Sequence, residues 1–335
     1  MTFTKLALVS LGTLCFGAQP HPDAAILGPY VHDNLAVFLI QQGDASLGGT
    51  VASKVRYLAL QTAMEQKKVI VYETRQVNDL AIENISSDTV FIQQGDIVKG
   101  GDQDRMISND FILPPNSGRL SLSAFCVESG RWNQRGNEPR ALFSGSPELG
   151  AIRFDPKAMW SQMSVWEKVS GLQEALASRL HRPGAAGSAS VRVAASPTSL
   201  MLTQTSPPVE DAIGVYTEAL VEAVRGATDV IGYAFAVNGE MKSADVYSSP
   251  DLFLSMWPKL LKSSAVEAVR VREQAKTPSV EISQVKAFLR EAGGGKETTR
   301  DVDGRTKLTK RESERLLLVE SRDGTNWVHR NVVKK

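Results

Sequence analysis

The residues of this chain best suited to chemistry crowd into one stretch, residues 95–132, which reads GDIVKGGDQDRMISNDFILPPNSGRLSLSAFCVESGRW. Lys99, Arg105 and Arg131 are cations, and the planar fork of each guanidinium matches a phosphate or carboxylate. Gly100 and Gly101 let the backbone turn freely and can present N–H groups as an anion-binding nest. Gln103 adds an amide. Glu128 adds a carboxylate that can orient an arginine or act as a general base, and Trp132 adds an indole face for a flat ring. Two readings of this crowd stand. It is a site for a small anionic ligand, phosphate- or nucleotide-like, in a domain that only binds, or else in a hydrolase of a nucleotide-like or phosphorylated substrate with Glu128 as base and Lys99, Arg105 and Arg131 as anion binders. Alternatively it is a salt-bridged β-corner in which the glycines serve only the bend, within a purely structural module of an envelope assembly.

These residues need elements to bring them together. Pro114, Pro115, Asn116, Ser117 and Gly118 make a turn, because proline cannot continue a ladder and Asn and Gly accept turn geometry. The flanking strands should pair antiparallel about Asn116, which sets Arg105 opposite Val127 or Glu128 to within two residues. The glycine-rich stretch and residues 126–132 then meet at one end of a hairpin. Arg105 would contact Glu128 there, leaving Lys99 and Arg131 for an anion. Cys126 falls in one row with Leu120, Leu122 and Ala124, the place of a small core residue. A nucleophilic role would need a thiol pKa lowered by Arg105 or Arg131 and a nearby base.

Around this stretch, residues 35–41, 69–72, 79–83, 89–94, 105–113 and 119–127 read as short strands between polar turns. Residues 55–66 and 159–180 have helical spacing; in the second, Trp160, Met163, Trp166, Val169 and Leu172 form an apolar stripe that reads as core. Residues 182–208, rich in Ala, Ser, Thr and Pro, read as a flexible linker or insertion. A helix over 210–225 follows, then a hairpin over 231–247 turning on Asn238 and Gly239. Helices are expected over 252–261, 265–274 and 280–292, the last stopped by three glycines. Turns at Asp303-Gly304 and Asp323-Gly324 mark a hydrophilic hairpin tail over 293–335. The order predicts an α+β fold: an antiparallel sheet or sandwich core with packed helices over 24–181, and an αβ portion over 209–292 packed on it.

Bulk properties exclude several classes. A net charge of +1 and a pI of about 7.7 leave no nucleic-acid footprint. Scattered histidines and cysteines, without Cys-x-x-Cys or His-x-x-x-His spacing, argue against zinc. Gly100-Gly101 opens no P-loop, and no Gly-x-Ser-x-Gly elbow exists. Asp301-Val302-Asp303-Gly304 begins like a calcium loop, but Lys307 and Lys310 follow, so it reads as a turn. No motif names a cofactor. Residues 1–18 have the layout of a secretory signal peptide: Lys5, an uncharged apolar run over 6–16, and small Gly17-Ala18 before Gln19. The run is shorter than the roughly 20 residues a membrane span requires. Lipidation through Cys15 would follow Gly12, Thr13 and Leu14, a poor lipobox. The expectation is a secreted or periplasmic protein with no transmembrane segment in the mature chain.

Gly95-Asp96, Gly100 to Arg105, Leu113-Pro114-Pro115, Cys126-Val127-Glu128 and Gly130-Arg131-Trp132 together resemble the signature of the ARG and rhodanese-phosphatase-superfamily-associated domain family. Val165-Trp166, the hairpin over 232–246, Phe253, Trp257-Pro258 and Leu260-Leu261 extend the resemblance from about Leu35 to Leu261, with 182–208 and the tail beyond Gly293 as departures. It implies no assigned chemical activity. The family's name implies a link, by association, with ADP-ribosylglycohydrolases and rhodanese-phosphatases, and so with ADP-ribose or phosphate metabolism.

Export is the testable part of this reading. Mass spectrometry of protein from the native host should find an N-terminus near Gln19; intact Met1 recovered from the cytosol would end the idea.

Overall fold

Alternating apolar residues dominate the first half of the chain. The computed structural model, which describes residues 26–43, 55–156, 161–181, 190–272 and 279–335, folds them into short strands. In order these elements are β1 (Ile26–His32), β2 (Leu35–Gln41), β3 (Tyr57–Ala59), helix α1 (Leu60–Glu65), β4 (Val69–Gln76), β5 (Asp79–Asn84) and β6 (Thr89–Ile92). Next come β7 (Asp96–Gly100), β8 (Arg105–Ile107), β9 (Phe111–Leu113), β10 (Gly118–Cys126) and β11 (Phe143–Leu149). Helices α2 (Gln162–Leu180), α3 (Leu200–Gln204) and α4 (Pro207–Leu220) precede β12 (Val230–Val237) and β13 (Glu240–Tyr247). Helices α5 (Pro250–Arg270) and α6 (Ile282–Glu291) lead to β14 (Lys296–Asp301), β15 (Thr306–Glu312), β16 (Leu316–Asp323) and β17 (Asn326–Lys334). The class is α+β. No described helix is long and apolar enough to cross a membrane.

Three sheets organise these elements. An eight-stranded antiparallel sheet runs β1-β2-β12-β13-β17-β16-β15-β14. A six-stranded sheet runs β11-β7-β8-β10-β5-β4. A bridge between Tyr72 and Leu142, with Glu73 N–H donating to the Ala141 carbonyl at 3.0 Å, brings its two edges together as a barrel. Val71, Leu80, Ile82, Val98, Ile107, Leu122 and Phe143 fill that barrel. The third sheet, β3-β6-β9, sits beside both. Helix α6 lays Val285, Phe288 and Leu289 on one face of the large sheet. Helix α5 lies against the other, buried along most of its length, with α2 and α4 around it.

Several expected elements change shape. The glycine-rich stretch begins as a strand, β7, because Ile97 and Val98 supply core and barrel residues, and it bends only at its end, where Gly100 and Gly101 take positive φ. The strand expected over 105–113 is two, with β9 leaving the barrel to pair with β6. Residues 55–66 begin as strand β3 before turning into α1. The two helices expected over 252–274 are one, α5, which carries Pro258 inside it. Residues 190–208, expected as linker, bury Val191, Leu200 and Met201 in the core; residues 182–189 lie outside the described residues, as do the leader, Cys15 and Trp160. The tail is no appendage, since β17 pairs with β13 along residues 329–333.

What locks the layers is ionic. Asp245 on β13 accepts from Arg153 (3.1 and 2.6 Å), His329 (3.1 Å), Asn331 (3.0 Å) and Gln93 (3.3 Å). His329 reaches on to Asp110 at 2.7 Å, and Lys259 of α5 binds Asp96 and the Ser146 carbonyl. Three cations thus meet three carboxylates, all buried. Burial opposes ionisation of Asp245, but Arg153 and His329 hold its carboxyl down at about 2.

Breaking such a network strands charges out of water, so Asp245→Ala should cost about 3–5 kcal/mol, measured by denaturant unfolding. Burial also opposes the charge on His329, but Asp110 and Asp245 outweigh it and raise its pKa to about 9. A raised histidine pKa contributes stability fully below its unfolded value, near 6.5, and loses it as pH climbs through about 9. The wild-type melting temperature should fall across that window more steeply than that of His329→Gln. Parallel curves would contradict this account.

Candidate functional site

The corner forms where β7, β8 and β10 end together. Arg105 pairs with Cys126, within one residue of the expected register. The turn at residues 114–118 is therefore centred as the sequence implies, although β9 departs and only residues 105–107 return to β10. Gly101 has φ +60, and a Cβ there would stand 2.7 Å from both the Glu73 carboxylate and the Phe143 ring. Only glycine fits that approach.

The N–H groups of the expected nest are already occupied by the protein's own oxygens. Gly100 N–H donates to Asp104 at 3.0 Å, Asp102 N–H to Glu73 at 3.2 Å, and Gly101 N–H to the Pro139 carbonyl at 3.2 Å. The anion that fits this nest is internal.

Arg105 and Glu128 do not pair with each other. The Arg105 guanidinium, fully buried, takes Glu73 (3.2 and 3.3 Å), the Val77 carbonyl (2.6 Å) and Cys126 Sγ. Trp132 lies over it, with the ring centroid 5.6 Å from Cζ. Glu128 is enclosed by Arg131 and by Arg135 (2.7 Å), and accepts from Asp104 N–H at 3.3 Å. Burial, with Asp104 nearby, pushes the Glu128 carboxyl above its ordinary range. Lys99 is 3.5 Å from Glu138, and Gln103 donates its amide to the Arg131 carbonyl while its Oε1 stays unpartnered. So Lys99, Gly100, Gly101, Gln103, Arg105, Glu128, Arg131 and Trp132 do gather, but their charges are spent on one another and on partners the sequence reading did not include.

Those partners are Glu73, Arg135 and Glu138, with Arg140 and Ser199 behind them on Asp102 and Asp104. Glu73 had a signal: period two places it in the inward row of Val69 and Val71, where a carboxylate needs a buried partner. Ser199 caps α3, accepting from Leu202 N–H and donating to Asp104 at 3.3 Å; a Thr-Ser pair before an apolar run marks such a cap. Arg135 and Arg140 sit on an irregular loop with no periodicity to place them. Arg135 grips Asp104 at 2.9 and 3.0 Å. Arg140 holds Asp102 at 2.6 Å, and Arg75 approaches the same carboxylate at 3.9 Å. A notch beside the corner, lined by Ser129, Trp166, Gln173, Arg192 and Thr198, measures about 40 Å³, room for water rather than for a ligand.

Cys126 is buried, its backbone held by Gln162 of α2 at 2.9 and 2.7 Å. Burial pushes its thiol up to about 11, outweighing the adjacent Arg105. A thiol reagent near neutral pH should therefore leave the native protein unmodified and react only on unfolding. Rapid native-state labelling would overturn this assignment.

No curated protein and no solved structure matches the chain. The ARG and Rhodanese-Phosphatase-superfamily-associated Protein domain matches residues 23–333, so the tail and the segment before α3 lie within its span rather than departing from it. With the β7–β10 motif and the strands around it inside that span, the chain belongs to the ARG and Rhodanese-Phosphatase-superfamily-associated Protein domain family.

Proposed function

We propose that the protein is an exported, non-catalytic binding domain that recognises a small anionic ligand of phosphate or nucleotide type at the outer rim of the corner. Charge balance carries the reading. Inside, the carboxylates of Glu73, Asp104, Glu128 and Glu138 face Lys99, Arg105, Arg131 and Arg135, cation for anion. Outside, Asp102 alone serves both Arg75 and Arg140, whose side chains are 71% and 50% exposed. One positive charge is left over at the surface. Contacts run from Asp102 through Glu73 and Arg105 to Trp132, which is 40% exposed. Two guanidiniums and an indole are the groups that hold a phosphate and a flat ring.

Glu128 supports the non-catalytic form. A general base must come within hydrogen-bond reach of the proton it removes. This carboxylate has no exposed surface, and two arginines and an amide surround it.

The family's name makes ADP-ribose the first probe, with AMP, ribose 5-phosphate and inorganic phosphate beside it. Ligand bound only to the native state stabilises it by about 2.7 kcal/mol at a hundredfold excess over Kd. At least one probe should raise the melting temperature, and Arg75→Ala/Arg140→Ala should lose that rise. The unliganded double variant leaves the buried Asp102 carboxylate without its cations and should melt lower than wild type, so the quantity compared is the ligand-induced rise of each protein over its own unliganded state. Four flat titrations, or a double variant that still responds, would sink the proposal.

A further inference from the structure

The departure of β9 leaves one edge of β10 open. Residues 118–123 of β10 pair with β5 on one side, and only residues 124–126 pair with β8 on the other. The direction of each backbone group follows from two bonds. Ala124 N–H donates toward β5, to the Asn78 carbonyl, and the Ser123 carbonyl accepts from Ser108 on the β8 side. Successive residues of a strand alternate in direction. The N–H and C=O of Arg119 and Ser121, with the N–H of Ser123, therefore point away from β5, where no described strand pairs with them.

A hollow of about 170 Å³ lies along that edge. Its walls include four consecutive residues, Leu120, Ser121, Leu122 and Ser123. Side chains of consecutive strand residues face opposite ways, so a space touching all four lies against the backbone edge. Phe111 and Leu122 give it apolar walls, and Val302 at the β14–β15 turn closes the far side. Arg300 donates to Asn109 at 2.6 Å and ties that turn to the near wall. The volume matches one large apolar side chain, since a cavity of about 150 Å³ accommodates benzene.

We propose that the open edge of β10 is a strand-addition site for an extended segment of a partner polypeptide, which continues the barrel sheet and seats one large aliphatic or aromatic residue in the hollow. Unsatisfied alternate N–H and C=O groups demand an extended backbone, and the apolar walls demand such a side chain. The site is separate from the arginine rim and does not depend on the ligand proposed there.

The test has three arms, all on the full mature chain. In the free protein, amide exchange followed by NMR should be fast at Arg119 and Ser121 and slow at Leu120 and Leu122. Random dodecapeptides displayed on phage and selected on the protein should yield proline-free, strand-prone sequences sharing one large apolar residue. A selected peptide should slow exchange at Ser121 and Ser123. Its affinity should fall by about tenfold or more in Ser121→Pro, which removes an N–H that β5 does not use. Val302→Trp fills the hollow without touching the strand and should weaken binding likewise, while Arg75→Ala should leave it unchanged. The proposal is overturned if Ser121 exchanges as slowly as Leu122 in the free monomer, if no peptide is enriched, or if binding survives both variants. A dimer joined through this edge, seen by light scattering, would also overturn it.

Discussion

Everything in this fold is registered on the carboxylate of Asp245. It receives hydrogen bonds from a 3₁₀ turn through Arg153, from the β6–β7 connection through Gln93, and from β17 through His329 and Asn331. Hydrophobic layers can slide past one another with little loss, because apolar contact has no direction. A buried carboxylate bound by four donors allows one arrangement only, since any shift strands charges away from water. The large sheet, the small sheet and the segment leading out of the barrel are thereby set at fixed positions. Lys259 and Asp96 extend the constraint from α5 to β7, the strand that leads into the corner.

The corner repeats this logic at the surface. Loops that turn with paired glycines often hold a substrate's phosphate, but here Asp104 and Glu73 take the N–H groups. The loop after Glu128 then brings Arg131 and Arg135 onto the carboxylates already gathered, sealing the motif beneath Trp132. A motif rich in charge thus spends most of it on its own architecture, and the guanidiniums that stay exposed, Arg75 and Arg140, share the single carboxylate of Asp102.

The sequence made the local part of this legible and hid the part that depends on distant strands. Short alternating runs placed β5 and β10, an unbroken apolar run placed β2, and the Asn238-Gly239 turn placed β12 and β13, each nearly to the residue, while the prolines after Leu113 centred the pairing of Arg105 with Cys126. Partner choice was not local: Arg105 took Glu73, 32 residues away, rather than Glu128. β1 and β11 escaped because Pro29 and Pro147 break the strand pattern, which a sheet edge tolerates. Polar composition disguised the segment around α3, which buries Thr203 and Gln204 along with Leu200 and Met201 and so shows no apolar period. Nothing in the spacing of Arg153, Asp245 and His329 foretold their meeting, because each stands alone in its own element.

Among the described strands, β17 comes last in sequence yet fifth of eight in its sheet, between β13 and β16. A chain made from its N-terminus cannot close that sheet as it grows. β13 has no outer neighbour, and Asp245 lacks two of its donors, until residues 329–331 have emerged. Pairings this distant form slowly, after the local ones. The nascent protein is held short of its native state until that strand has emerged, and for all the time before it the edge of β13 stands open to any other extended chain.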